Sequence, residues 1–460
     1  MDKSLKFSLS YFNIFVIVTF LIMLLEAFIP LSPIAYSVLL LIVVLGAYHI
    51  NHLPTALLYF ILFTLESQFY ISAGTVAMHI SYLSDLLLIA MIAKLLLSYQ
   101  VQKLPTFLKL AFWIWVIFFT IGFLTNMVVT TTPLLYVFGL RNNVRFIALF
   151  LISSIVLNKS LISKFWSLFS IAFLFNALQV VIQYLVYGFT MDKIGGIFGT
   201  TIGSANTYMH IFLLVYVVMA VVYNHYNKLN FLNLVSIVAV VIFISAIAEL
   251  KIMFIELIVV LLLSYLYGQL TWRKIANLGV LFLIFGALFS VAIPILYQLF
   301  PDFNNFFSLS KIIQTATNSY TGQQDLSRLF AISDINKFFF HWALLPNLFG
   351  IGLGSAEVSN TSLLMSQFYL ANSSSHYDWF SLAFLFIETG FLGLVLYLMP
   401  FGICWYILLK SRARDSYHSL SLVLLTLIPV IMMYNNTLRI DAVYMLAIPL
   451  SFGISSLLDS

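Results

Sequence analysis

The feature that most constrains this chain is a succession of apolar runs, each near the roughly 20 residues a helix needs to cross hydrocarbon. They fall at about 9–29, 33–50, 53–70, 76–98, 106–129, 133–157, 165–187, 207–224, 231–249, 252–270, 275–298, 378–410, 418–437 and 441–458. Inside a bilayer every backbone N–H and C=O must be paired within the protein, which leaves helices or a closed barrel. Barrel strands would read as stretches of alternating polarity, whereas these runs are continuous. The expected fold is therefore all-α and polytopic, a single membrane domain over 1–460 with about 14 transmembrane helices (12–14). Composition agrees: 62% of residues are apolar and 8% charged, against about 45–50% and 25% in soluble domains.

The first run follows Lys3 and Lys6 but is too long for a signal peptide and lacks a small-residue cleavage site, so it reads as the first span. With the N-terminus in the cytoplasm, Lys103, Lys159, Lys164, Lys228, Arg273, Lys274, Lys410, Arg412 and Arg414 all fall on the same side. That is the positive-inside bias, and it places both termini in the cytoplasm. The net charge of +5 belongs to these loops and implies no nucleic-acid partner. A single cysteine, Cys404, excludes an internal disulfide and a cysteine metal site. The other side carries one long polar insertion, 299–376, expected as an extracytoplasmic loop with short helices. Within it "LSRLFAISDINKFFFHWALL" has amphipathic spacing.

Ionisable residues inside spans are costly and mark functional sites by default. Under this topology they gather at outer helix ends: Arg141 and Arg145 four residues apart on one face, Lys251 between Glu249 and Glu256, Arg439 beside Asp441, Glu26 and Glu66, with Arg328 and His376 in the outer loop. Each basic group alone reads equally as a snorkelling or carboxylate-paired side chain. Five cations on the side the positive-inside bias disfavours point instead to an anionic ligand, because guanidinium forks match phosphate oxygens. Glu388 reads either as a group orienting a basic partner or as a structural pair.

Histidine titrates near neutrality, which suits proton transfer. His376 stands after three serines at a helix start, where it is either a water-facing cap residue or a base; His79, His210 and His341 read as structural. No histidine and carboxylate group has metal-ligand spacing, so no metal is expected. Glycine clusters occur at "GGIFGTTIGSAN" (195–206), "LFGIGLGS" (348–355) and inside "ETGFLGL" (388–394). The first either turns amides towards an anion or makes a tight turn. The second follows no strand and is no dinucleotide loop. The third is expected to bend a helix. Tyr320, Trp342 and Tyr369 in the loop are either packing residues or platforms for sugars.

In their order, "GGIFGTTIGSAN" before a span, "LKIMFIEL" opening a helix, then "SRLFAISDI", "PNLFGIGLGS" and "HYDWFSLAFLFIETGFLGL" resemble the signature of bacterial O-antigen polymerases and O-antigen ligases. The likeness covers about the C-terminal 270 residues and the arginine-bearing span before them. It implies a GT-C-like membrane glycosyltransferase that needs no cofactor, nucleotide sugar or metal. It gives His376 and Arg328 catalytic roles and places the substrate pyrophosphate on Arg141, Arg145 and Lys251. From the charge pattern Arg439 is expected to join them, with Glu388, Glu249 and Asn206 in support. The sequence departs from the family at Leu250, where a serine is usual, and at Tyr377, where an asparagine is common.

The expected activity is that of a polysaccharide polymerase for O-antigen, capsule or exopolysaccharide. It would move a growing glycan from undecaprenyl pyrophosphate to a hydroxyl of a new lipid-linked repeat unit, at the outer face of the bacterial cytoplasmic (inner) membrane. The expected partners are the lipid-linked donor and acceptor, membrane lipid, and a chain-length regulator and flippase of the same pathway. A ligase delivering the finished glycan to lipid A core would need the same pyrophosphate clamp. From another class, a lipid-linked oligosaccharide flippase remains, although no paired repeats of broken helices are found.

Overall fold

The apolar runs fold as helices that pass back and forth through one bundle, with no strand among the described residues. The computed structural model describes residues 10–29, 32–98, 104–129, 132–190, 193–201, 203–268, 325–359, 361–411 and 415–458, and isolated positions between 272 and 290. In chain order the helices are α1 (Tyr11–Glu26), α2 (Ser32–Tyr48), α3 (Leu53–Ser72), α4 (Tyr82–Leu97), α5 (Thr106–Val129), α6 (Pro133–Val156), α7 (Lys159–Leu185), α8 (His210–His225), α9 (Phe231–Ile247) and α10 (Lys251–Tyr267). The short α11 (Ala331–Ile335), α12 (Leu344–Phe349) and α13 (Gln367–Asn372) precede α14 (Ser381–Lys410), α15 (Ser416–Tyr434), α16 (Tyr444–Leu450) and α17 (Phe452–Leu458).

Ten described segments are long and apolar enough to cross a membrane, so this is a multi-pass membrane protein. The expectation of about 14 spans is met only in part. The runs at 9–29 and 231–249 form the shorter apolar helices α1 and α9, and that at 252–270 forms the 17-residue α10. Ser451 interrupts the last run, dividing it into α16 and α17. Half of the run at 275–298 and all of the loop segment 299–324, with Tyr320, lie outside the described residues, as do Lys3, Lys6, Lys103, Arg273, Lys274, Arg412 and Arg414.

Local chemistry sets the helix ends. Asn158 caps α7 by accepting from Leu161 N at 2.9 Å, and Asp415 caps α15 by accepting from the amides of Tyr417 and His418, each at 2.9 Å. Pro133 opens α6, where a missing N–H costs nothing. Lys228 Nζ donates to Ser416 Oγ at 2.6 Å, Ser455 Oγ to the Leu157 carbonyl at 2.6 Å, and Ser456 Oγ to Asp415 at 2.9 Å. These contacts gather the turns at 158–159 and 226–230 and the α15 start at 415–416 at one end of the bundle. The 325–380 loop sits at the other.

That loop does not float above the bundle. Its residues Leu326, Ala331, Ile335, Phe340, Ala356 and Tyr377 form a second apolar core with Phe380, Phe384 and Ile387 of the α14 entry. The glycine-rich stretch 350–355 then runs down between α5, α6 and α14. It can do so because α14 is broken at Gly390 (φ 62°, ψ −165°), which leaves the Ile387 and Glu388 carbonyls without helical donors. The amides of Ile351 and Gly352 supply them, each at 2.9 Å, while Leu353 N donates to Gly122 O at 3.2 Å. The expected bend is therefore present, and its physical cause is a loop docking into the helix rather than a change of direction at a membrane surface.

The expected amphipathic helix over 326–345 is shorter than its pattern. Asp334 accepts from Ser327 N and Oγ at 3.0 and 2.8 Å, α11 follows, and a π-helical turn (Asn336–Phe340) ends at His341 and Trp342, both with positive φ.

Candidate functional site

Polar side chains collect at the loop end of the bundle around the segment 434–441, between α15 and α16. Each residue there holds a different element. Asn435 Nδ2 donates to the Asn206 carbonyl at 2.7 Å, and its own carbonyl accepts from Ser381 N at 2.9 Å. Asn436 Nδ2 donates to the Asp378 carbonyl at 3.0 Å, and Thr437 Oγ1 to the Thr207 carbonyl at 3.3 Å. Arg439 binds the loop and α14, and Asp441 accepts from the Tyr208 hydroxyl.

The arginines expected to bind pyrophosphate are brought together, and each has a carboxylate. Arg141 Nε and Arg145 Nε both reach Asp85 of α4, at 2.8 and 2.9 Å. Arg145 is nearly enclosed, whereas the Arg141 side chain is 24% exposed and also lies over the Tyr82 ring at 4.6 Å. Arg439 is clasped between Glu357 and Glu388, with the Glu388 Oε2 contact at 2.9 Å, and lies 3.6 Å from the Phe384 ring centre. Asn142 joins the two halves by donating to Glu357 Oε2 at 3.0 Å.

Burial disfavours the charge on Arg439, yet Glu357 and Glu388 outweigh it and keep the guanidinium protonated. Burial likewise pushes the Glu357 carboxyl up, against the pull of Arg439, Asn142 and the Val358 amide. Arg439 would reach an outside anion only by giving up two buried carboxylates, so its place is that of a clasp. Lys251 opens α10 away from this network, 42% exposed and 3.3 Å from Glu249 Oε1. Glu249 itself has φ 58° at the turn.

The segments that carry the two loop residues given catalytic roles are tied together by a backbone hydrogen bond. Leu326 N donates to the Ser375 carbonyl at 3.1 Å, which lays the strand of chain leading to Arg328 beside the turn that carries His376. Arg328 lies over the Tyr434 ring at 4.7 Å and has no carboxylate partner among the described residues. His376 has φ 51° and stacks on Trp379 with ring centres 4.0 Å apart, partly open to solvent. Behind it burial pushes the Asp378 carboxyl up. The Tyr377 hydroxyl, also raised by burial, donates to the Ala356 carbonyl at 2.6 Å, so the residue standing where an asparagine is common is a packing post.

Asn206 sits in a π-helical turn, Ala205–Met209, and its Oδ1 accepts from the Tyr434 hydroxyl at 3.0 Å. The glycine run before it is a buried turn. The amides of Gly196, Ile197 and Thr200 are already taken by Gln183, Asn176 and Ser72, at 2.8, 3.1 and 3.1 Å. Tyr369 packs on Tyr377, while Trp342 is exposed. No group of three metal-ligating side chains occurs among the described residues. Asp85, Glu357, Asn435 and Asn436 were missed by sequence reasoning; the Asn-Asn pair at a helix end is a signal for the last two, and none marks the carboxylates. His210, taken as structural, proves to be paired with Glu256.

Comparison of the chain with protein-family models, with curated proteins and with solved structures finds no match in any of the three.

Proposed function

We propose that this protein is a polysaccharide polymerase of the bacterial cytoplasmic membrane, acting at the outer face on undecaprenyl-pyrophosphate-linked repeat units. The observation that carries the reading is the Leu326–Ser375 hydrogen bond, which ties the segment leading to Arg328 to the turn that carries His376. Arg328, over the Tyr434 ring and with no carboxylate partner among the described residues, and the partly solvent-accessible His376 thus stand on neighbouring segments at the end of the bundle opposite the basic turns. The order of glycine and histidine motifs supports the same reading.

In the transfer, the bond between the donor glycan's anomeric carbon and the diphosphate oxygen breaks as an acceptor hydroxyl attacks that carbon. The hydroxyl proton passes to His376, and undecaprenyl diphosphate leaves with the electron pair. Arg328 meets the charge that grows on the departing diphosphate, and the partly exposed Arg141 and Lys251 lie at the same end of their helices to draw it in. Diphosphate is already a good leaving group, so positioning and charge stabilisation suffice.

The test is glycan chain length made by purified protein from synthetic undecaprenyl-diphosphate repeat units, with His376→Ala and Arg328→Ala beside wild type. A ladder from wild type that both folded variants fail to extend supports the polymerase. A single transfer to an added lipid A core acceptor, without a ladder, replaces it by a ligase. No product from any form, with lipid-linked glycan crossing vesicle membranes, replaces it by a flippase.

A further inference from the structure

His210 and Glu256 form a buried pair that the transfer just described does not use. His210 opens α8 and Glu256 lies on α10, and their side chains are 0% and 1% exposed. Nε2 of His210 stands 2.6 Å from Glu256 Oε2, and Nδ1 stands 3.1 Å from Nδ2 of Asn435. The Asn435 amide has one workable orientation. Its Nδ2 donates to the Asn206 carbonyl at 2.7 Å and its Oδ1 accepts from Thr437 N at 3.1 Å. Turning it round would set oxygen against oxygen and N–H against N–H. Nδ1 of His210 is therefore an acceptor, and the ring proton sits on Nε2, donated to Glu256.

Asn435 in turn holds both halves of the candidate site. Its carbonyl accepts from Ser381 N and Oγ at 2.9 and 3.0 Å, and Asn436 beside it ties down the Asp378 carbonyl, two residues after His376. On the other side Asn206, fixed by Asn435, holds the Tyr434 hydroxyl. The Tyr434 ring carries Arg328 and stands 5.0 Å from the His210 ring. The π-helical turn that ends at His210 is itself a rare geometry, recurrent at functional sites.

A pair placed there only for packing would be a costly choice. Burying an imidazole and a carboxylate is less favourable than filling the space with apolar side chains. Glu256 also leaves its second oxygen, Oε1, without a hydrogen-bond partner among the described residues.

We infer that His210 and Glu256 are the positioning pair of the transfer site: they lock the Asn435 amide, and that amide holds the Tyr434–Arg328 stack and the turn bearing His376. This rests on the polymerase reading. Neither residue touches substrate; the pair acts through Asn435.

Glu256→Gln in the full-length protein, reconstituted in lipid, is the test. Where the new amide donates its N–H to Nε2, the ring proton moves to Nδ1, opposite the Asn435 donor, and the Asn435 amide must then turn; where it presents its oxygen instead, the wild-type tautomer is kept, and the ring nitrogens report which arrangement is adopted. The kcat per folded protein is expected to fall about tenfold to a hundredfold, with KM for the lipid-linked repeat unit changed less than about threefold, as for a small misplacement of reacting groups. The thermal midpoint stays near that of wild type. Nitrogen NMR of histidine-labelled protein, assigned with His210→Gln, reads Nδ1 unprotonated in wild type and protonated in the variant. If Glu256→Gln does not fold or keeps Nδ1 unprotonated, Asn435→Asp puts a carboxylate opposite Nδ1, draws a ring proton there and is expected to lower kcat alike.

An unchanged kcat in a folded variant whose Nδ1 has become protonated, or Nδ1 protonated in wild type, overturns the inference. So does a fall in activity that only tracks the loss of folded protein. Wild type that makes no glycan sinks the polymerase reading and the pair's role with it, whereas active wild type with unaffected variants sinks the pair alone.

Discussion

Arg439 and Glu388 are 51 residues apart in the chain and 2.9 Å apart in the bundle. Glu357 closes the other side of the same guanidinium, and Gly354 N donates to Glu388 Oε1 at 2.9 Å, so one cation staples the loop, α14 and the turn before α16. Removing the cation leaves two carboxylates buried against each other. Arg439→Met is therefore expected to cost about 3–5 kcal/mol, the usual effect of breaking a buried pair from one side. Thermal unfolding of purified protein measures it, and adding Glu357→Gln and Glu388→Gln should restore part of the loss. A single variant that melts like wild type means the clasp contributes nothing.

The loop docking makes Gly390 a sharp test. An alanine there would need a left-handed φ of 62° and would place Cβ 2.5 Å from the Leu348 carbonyl carbon, against backbone that has no room to yield. Gly390→Ala is expected to destabilise by about 1–3 kcal/mol from backbone strain alone. It should also loosen the 350–355 stretch, seen as faster amide exchange at Ile351 and Gly352. Gly402, further along α14 with open space around its Cβ position, is the control, and Gly402→Ala should leave both quantities unchanged.

The helices were legible because hydrocarbon thickness imposes a length that any window over the sequence detects. The charges at Arg141, Arg145, Arg439 and Asp441 were legible for the same reason, since they stand within or beside apolar runs. Their partners were not: Asp85 lies 56 residues before Arg141, and no local pattern links them. His210 looked inert because its carboxylate is 46 residues further on, in another helix. Glu388 was read as orienting a base or pairing with one, and it does contact Arg439. Glycines 350 to 354 carry no periodicity, so the loop's descent between helices could not be read from spacing.

At the opposite end, burial would push the Asp415 carboxyl up, but the His418 side chain and amide and the Ser456 hydroxyl outweigh it and hold it down at about 2. A depressed carboxylate stabilises the fold above its unfolded value, near 3.9, and that contribution is lost as pH falls towards 2. Wild type should therefore melt higher than Asp415→Asn at pH 6, with the gap closing as pH drops below about 4. The side chain is 40% exposed, so solvent screening keeps the gap small. A gap that widens on acidification would show that the cap is held by something other than the ionised carboxylate.

Arg141 and Arg145 share Asp85 but not an environment, and their substitutions should separate. Arg145 is 8% exposed and placed to offset both Asp85 and Asp441, so Arg145→Met leaves buried carboxylates short of a cation and should lower the thermal midpoint markedly. Arg141, three times as exposed, is the one of the two that can face a ligand from outside. Arg141→Met should leave the stability within about 1 kcal/mol of wild type, as for a surface pair. It should raise KM for the lipid-linked repeat unit about tenfold, as loss of one charge-assisted contact does. That increase should shrink in high salt, where the wild-type attraction is itself screened. If both variants lose stability equally and KM does not move, the arginine pair is structural and the diphosphate is held by Arg328 and Lys251 instead.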